Sequence, residues 1–194
     1  MTSPFAPPQT ETLRTDRVEA TDDFYVVSTT KLAVLFVGTL GLYGVYWSYK
    51  HWDQVKQSKG LDILPWARGI FSIFFTHALF REVDRKAVDR DVSLAWSPDA
   101  LATTYVVLLV AGRIMERADR FTDDVTLLTA LATFVPLFAA IPMARGQAAA
   151  NAVCGDPTGS SNASFTATNI VFLVVFGLFW ILVLLGFAAT LAGL

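Results

Sequence analysis

No carboxylate falls in the interior of any long apolar run of this chain, and cysteine and histidine are scarce throughout it. Cys154 is the only cysteine, and His51 and His77 are the only histidines. A single cysteine excludes an intramolecular disulfide and any zinc site built on several thiolates. The two histidines lie 26 positions apart, without metal-ligand spacing, so no metal and no cofactor is expected. Without buried acids no proton path can be drawn through the apolar runs. Ser48, Ser72 and Ser93 lack a G-x-S-x-G setting, and H-E-x-x-H is absent, so no catalytic residues are assigned and a non-enzymatic role is expected. Charge is thin as well: 16% of the 194 residues are charged, against about 25% in ordinary soluble domains. The formal net charge of −2 and the mixing of both signs leave no basic stripe for nucleic acid.

What the chain does have is apolar residues, 54% of the total, gathered in long runs. A bilayer-crossing helix needs about 20 of them. Five segments approach that length: Lys31 to Tyr49, Ile63 to Phe80, Pro98 to Met115, Val125 to Met143, and Asn169 to Leu194. These runs are too extensive to be hidden in one water-soluble core of this size. The expected fold is therefore all-α: an integral membrane helical bundle of about five hydrophobic helices, one of them re-entrant or interfacial. Residues 1–22 are polar, Pro-containing and charged on both signs, and read as a flexible tail without signal-peptide character. Residues 23–194 read as a single transmembrane domain. The triplet Asn162-Ala163-Ser164 matches a glycosylation sequon and is given no weight.

Local signals sharpen the segments. Pro65 suits a first helical turn. Arg68, Ser72 and Thr76 then share one face, opposite Ile70, Phe71, Phe74 and Phe75, an amphipathic pattern. Ser97, Pro98 and Asp99 form a helix start, and Arg113, Arg117 and Arg120 line the end of that helix. Pro136 and Pro142 are expected to bend the fourth segment, and Gly155-Asp156-Pro157 to end it. If all five segments cross, Lys and Arg divide eight against six between the two sides, a weak positive-inside bias. If the first or second segment dips in and returns, residues 50–62 and 81–91 share a face and the bias strengthens.

The stretch GTLGLYGVYWSYKHW, residues 38–52, is dense in aromatics. Tyr43, Tyr46, Trp47 and Lys50 fall on one helical face, and with Tyr49, Trp52 and Trp66 they read as membrane-interface anchors. Gly38, Gly41 and Gly44 permit close helix approach or mark an unwound or re-entrant point. Thr39-Leu40-Gly41-Leu42-Tyr43, followed by Tyr46-Trp47 and Tyr49, resembles the T-[LF]-G-[LI]-Y-x-x-Y-W-x-Y signature of a family of small bacterial membrane proteins catalogued as a domain of unknown function. The resemblance covers roughly residues 25 to 82. It implies a bacterial inner-membrane protein and brings no catalytic residues.

Ionisable and amide side chains near the apolar runs are the candidate sites for ligand or lipid. Arg68, with no acid nearby in sequence, must snorkel, bond helix-end carbonyls or meet an anion. His77 and Arg113 lie near segment ends, where interface hydrogen bonding and snorkelling are the ordinary roles. Gln147 and Asn151 share a face and either bond a neighbouring helix or shape a polar vestibule. The expected role is a membrane-embedded interaction or scaffold subunit. Its partners would be the bilayer and a protein or a second copy. The alternative is a small channel or transporter with a polar path near Arg68, Gln147 and Asn151.

Overall fold

The computed structural model describes residues 20–118 and 125–191. Most of the expected tail (residues 1–19), Arg120 and the last three positions of the final segment lie outside them. Among the described residues all regular structure is helical. Seven α-helices follow one another: α1 (Thr29–Gly38), α2 (Tyr43–Lys59), α3 (Pro65–Ile70), α4 (Ser72–Asp89), α5 (Pro98–Ala118), α6 (Val125–Val153) and α7 (Ala167–Leu191). Two of them are long and apolar enough to cross a membrane, over Pro98–Arg117 and Ala167–Ala189.

The first two apolar segments are not single helices, which corrects the expectation of continuous helices over 31–49 and 63–80. The first breaks at Thr39–Leu42. Leu40 and Gly41 take positive φ, 54° and 86°, and reverse the chain. Thr39 closes both sides of the turn: its hydroxyl donates to Leu35 O (2.7 Å) and accepts from Tyr43 N (2.9 Å). The amide groups of residues 39 to 45 are all paired, among them Gly41 N to Phe36 O at 2.7 Å. A reversal with its donors satisfied internally needs no water around it. Gly44 lies against Phe36 and the Tyr105 hydroxyl, so the hairpin limbs close on α5. The second segment breaks at Phe71, whose ψ is 35°. Just before it, Gly69 lets α3 lie on α2: an added Cβ there would stand 2.9 Å from Val45 O.

The result is two successive helical hairpins, α1–α2 and α3–α4, open toward the same end of the molecule. At that end Lys59 of α2 pairs with Glu82 of α4. Arg90, just past α4, donates to Val153 O at the end of α6 (2.6 Å). Lys31 of α1 donates to Ser164 O in the α6–α7 loop (2.7 Å). Arg81 of α4 pairs with Asp99 in the first turn of α5 (2.7 Å). Tip depth follows from helix rise. Tyr105, beside Gly44, is seven residues into α5, about 10 Å. Trp180, whose indole donates to Val37 O (3.2 Å), is thirteen residues into α7, about 20 Å. The first hairpin thus reaches part-way along the roughly 30 Å of α5 and α7 and returns.

α6 is one helix of 29 residues with Pro136 and Pro142 inside it. Its last two turns rise past the start of α5 and form a cap with the extended residues 20–28. The last positions of the expected tail are docked there: Thr21 N donates to Cys154 O (3.2 Å) and Arg90 donates to the Thr21 hydroxyl (2.8 Å).

Candidate functional site

A buried amide node in the cap, an arginine clamp on α3 and a groove beside α7 are among the features that carry polar or ligand-sized character.

The node is built by Gln147 and Asn151, both at 0% exposure. One turn apart on α6, they present their amides to the extended strap of residues 20–28. Gln147 Nε2 donates to Tyr25 O (2.8 Å) and to Asn151 Oδ1 (2.7 Å). Gln147 Oε1 accepts from the Trp47 indole and contacts His51 Nε2 at 3.0 Å. Because that oxygen is an acceptor, His51 carries its proton on Nε2, and its Nδ1 is left buried without a partner. Asn151 Nδ2 donates to Val27 O (2.9 Å) and Asn151 Oδ1 accepts from Val27 N (3.4 Å). The node therefore makes the hydrogen bonds that a neighbouring strand would otherwise give the strap.

The indole of Trp47 is consumed here, which corrects part of the expected aromatic belt. Tyr43, Trp47 and Trp52 are buried in the protein core, because this face of α2 packs on α4, α6 and the strap. The amide of Gln147 gives Trp47 the polar partner that headgroups would otherwise provide. Tyr46 and Trp66 do face outward, 47% and 57% exposed, and Tyr49 is half-buried.

Arg68 is held elsewhere, with its guanidinium over the rings of Trp52 (4.1 Å) and Phe75 (5.0 Å). No carboxylate lies within ion-pair distance of it among the described residues. Stacking on two rings is its stabilising contact, worth about 0.5–2 kcal/mol. Arg68→Ala is therefore expected to leave membrane insertion intact and to lower stability by about 1 kcal/mol. Failure of the purified variant to partition into membranes would contradict this. His77 Nε2 meets the Thr103 hydroxyl at 3.0 Å and ties α4 to α5. Arg113 is exposed and pairs with Glu116 one turn on (2.8 Å). The structure brings Gln147 and Asn151 together, but it does not join them to Arg68, His77 or Arg113.

Several organising residues carried no sequence signal. His51 was legible only as one more ring in an aromatic stretch. Lys31, 3% exposed, donates to Asn162 Oδ1 and Ser164 O, each at 2.7 Å. Asn162 in turn donates to Val26 O (2.9 Å), so the triplet set aside as a sequon is part of the strap's anchorage. In the same loop the backbone N–H of Ser161 (2.9 Å) and Ser160 (3.0 Å) bond the Asp156 carboxylate and hold it well below the usual carboxylate range. The stability this gives is present above that range and is lost as pH falls through the folded value.

Cys154 closes the cap. Burial pushes its thiol up to about 11, and its Sγ lies 3.6 Å from Phe24 O. The thiol is therefore held in its unreactive protonated form near neutral pH. Folded protein is accordingly expected to resist a polar maleimide that labels it rapidly once denatured; equal rates in the two states would contradict the buried placement.

The groove runs between the outer faces of α2 and α3 and the first half of α7, with a volume of about 720 Å³. Aromatic and aliphatic side chains line most of it, and Thr166, Thr168 and Asn169 form its polar end. No family model matches the chain, and neither a curated protein nor a solved structure does.

Proposed function

We propose that the protein is a polytopic, non-enzymatic subunit of the bacterial inner membrane whose exposed apolar surface serves interaction or scaffolding. The observation that carries this reading is α7. Its span has a mean hydropathy of 3.0, and none of that window is buried by the rest of the chain. Leu178, Ile181, Leu182 and Leu185 are all exposed. A helix apolar all round has lipid or protein as its solvent.

Charge supports a definite orientation. In this reading α5, α6 and α7 cross, while α1–α2 and α3–α4 enter and return. Lys31, Lys50, Lys56, Lys59, Arg81, Arg85, Lys86, Arg90 and Arg145 then share the end where the hairpins open. Arg113 and Arg117 are the counterparts among the described residues at the other end. That asymmetry supports hairpin openings on the cytoplasmic side, and it is far steeper than five crossings would give. The amides of Gln147 and Asn151 inside the cap are occupied by the chain's own groups, which leaves the outward apolar faces for a partner.

The test is a photo-crosslinking residue at Leu182, in native membranes at native expression, with Leu61 as the polar-end control. The reading expects a discrete protein adduct from Leu182, at twice the monomer mass if the partner is a second copy. Monomer alone at Leu182 and at the neighbouring α7 positions would overturn it.

A further inference from the structure

The groove beside α7 is graded along its length. Its rim is Thr166, Thr168 and Asn169, and its deep end is Phe172 and Phe176. Thr166 and Asn169 cap α7 reciprocally: Thr166 N donates to Asn169 Oδ1 (3.1 Å), and Asn169 N donates to the Thr166 oxygen (3.3 Å). That arrangement leaves Asn169 Nδ2 and the Thr166 hydroxyl proton available as donors at the rim. The Thr168 hydroxyl adds another, and no carboxylate lines the groove among the described residues. Close in sequence to the rim, Ser164 O accepts from the buried ammonium of Lys31, which also donates to Asn162 Oδ1. That ammonium has no carboxylate in ion-pair reach among the described residues. A buried cation without a carboxylate counter-ion, near a rim that offers free hydrogen-bond donors, favours an anion.

Dimensions choose the occupant. From Thr166 to Phe176 the helix rises about 15 Å, half of the roughly 30 Å hydrocarbon thickness, so the groove is one leaflet deep. A spanning partner helix, about 10 Å across and 30 Å long, displaces on the order of 2400 Å³, more than three times the groove. A single hydrocarbon chain needs far less.

We infer that this groove seats one acyl chain of an anionic phospholipid from the leaflet on the cation-rich side, with the phosphodiester at the Thr166–Asn169 rim. The inference rests on the membrane orientation proposed above. It goes beyond that reading by assigning a specific lipid to a specific cleft.

The test uses full-length protein stripped of lipid by prolonged detergent washing, then incubated with phosphatidylglycerol and weighed by native mass spectrometry. Ile70→Trp and Thr168→Trp fill the groove from its walls. Phe74→Trp, on an exposed face outside it, is the control. Wild type and the control are expected to carry one phosphatidylglycerol, and the two filled variants to lose it by about tenfold or more. Lys31→Met is expected to weaken phosphatidylglycerol while sparing neutral diacylglycerol. Protection of Cys154 from maleimide verifies that each variant is folded. Equal adducts on wild type and folded filled variants would overturn the inference. So would the absence of any adduct on folded wild type, or a dimer that forms in place of the lipid complex and is lost in the filled variants. If the chain fails to partition into membranes at all, the orientation is what fails, and that result is read before any lipid is added.

Discussion

Gln147→Leu is expected to release the N-terminal strap and lower the melting temperature by roughly 10–15 °C. The side chain is at 0% exposure, and leucine is close to it in volume, so packing changes little. What changes is pairing. Tyr25 O, the Trp47 indole, His51 Nε2 and Asn151 Oδ1 each lose a partner together. An unsatisfied buried group costs about 1–3 kcal/mol. Partial rearrangement toward Asn151 leaves a total on the order of 3–5 kcal/mol, and at this chain length each kcal/mol shifts the midpoint by about 2–4 °C. Gln147→Glu is expected to do no better, because the carboxylate cannot donate to Tyr25 O and faces the Asn151 oxygen. Ala148→Leu, outward-facing on the same helix, is the control. Thermal melts in detergent with Cys154 maleimide rates as a second probe are the measurement. A Gln147→Leu midpoint within about 2 °C of the parent would show that the node contributes little.

Gly159→Ala is expected to be nearly as damaging, for a backbone reason. Gly159 sits at φ 66° in the α6–α7 loop, where a side chain alone costs about 1 kcal/mol. The added Cβ would also stand 2.5 Å from Val27 C and O and 2.6 Å from Ser28 N. Those are main-chain atoms of the strap, pinned by Asn151 and Asn162, so no side-chain rotation relieves the overlap. A total on the order of 3 kcal/mol is expected. Gly60→Ala separates the two causes: φ is 61° there too, but nothing lies within 4 Å of the new atom. Its cost should stay near 1 kcal/mol. Equal losses in the two variants, measured by thermal melts, would mean that the strap contact is not what restrains Gly159.

The sequence made the helices legible and hid how they fold back. Composition and run length locate α5 and α7: the Ser97-Pro98-Asp99 start is the observed start of α5, and α7 begins two residues before the expected Asn169. The break at Thr39–Leu42 is written as Gly41 among apolar neighbours, which reads equally as a packing seam or a reversal. What decides it is Leu40 at positive φ and Thr39 bonding both limbs, and neither has a composition signature. The aromatic stripe misled for a related reason. Helical spacing puts Tyr43, Tyr46 and Trp47 near one face, but whether lipid or protein covers that face depends on α6 and the strap; Gln147 is 100 positions from Trp47. Gln147 and Asn151 were legible as a pair one turn apart. Their acceptors are backbone carbonyls of residues 25 and 27, which no pattern of side chains announces. The rim of the groove was invisible for the same cause, since a Thr-rich loop is ordinary until α7 brings it beside α2 and α3.

The account turns on whether the first two apolar segments enter and return rather than cross. In a Cys154→Ser background, single cysteines at Leu61, Ser93 and Ser161 are labelled with a membrane-impermeant maleimide in right-side-out and inside-out vesicles. The two-hairpin topology predicts that all three react from the cytoplasmic side alone; reaction of the Leu61 cysteine from the side opposite to Ser93 and Ser161 would contradict it.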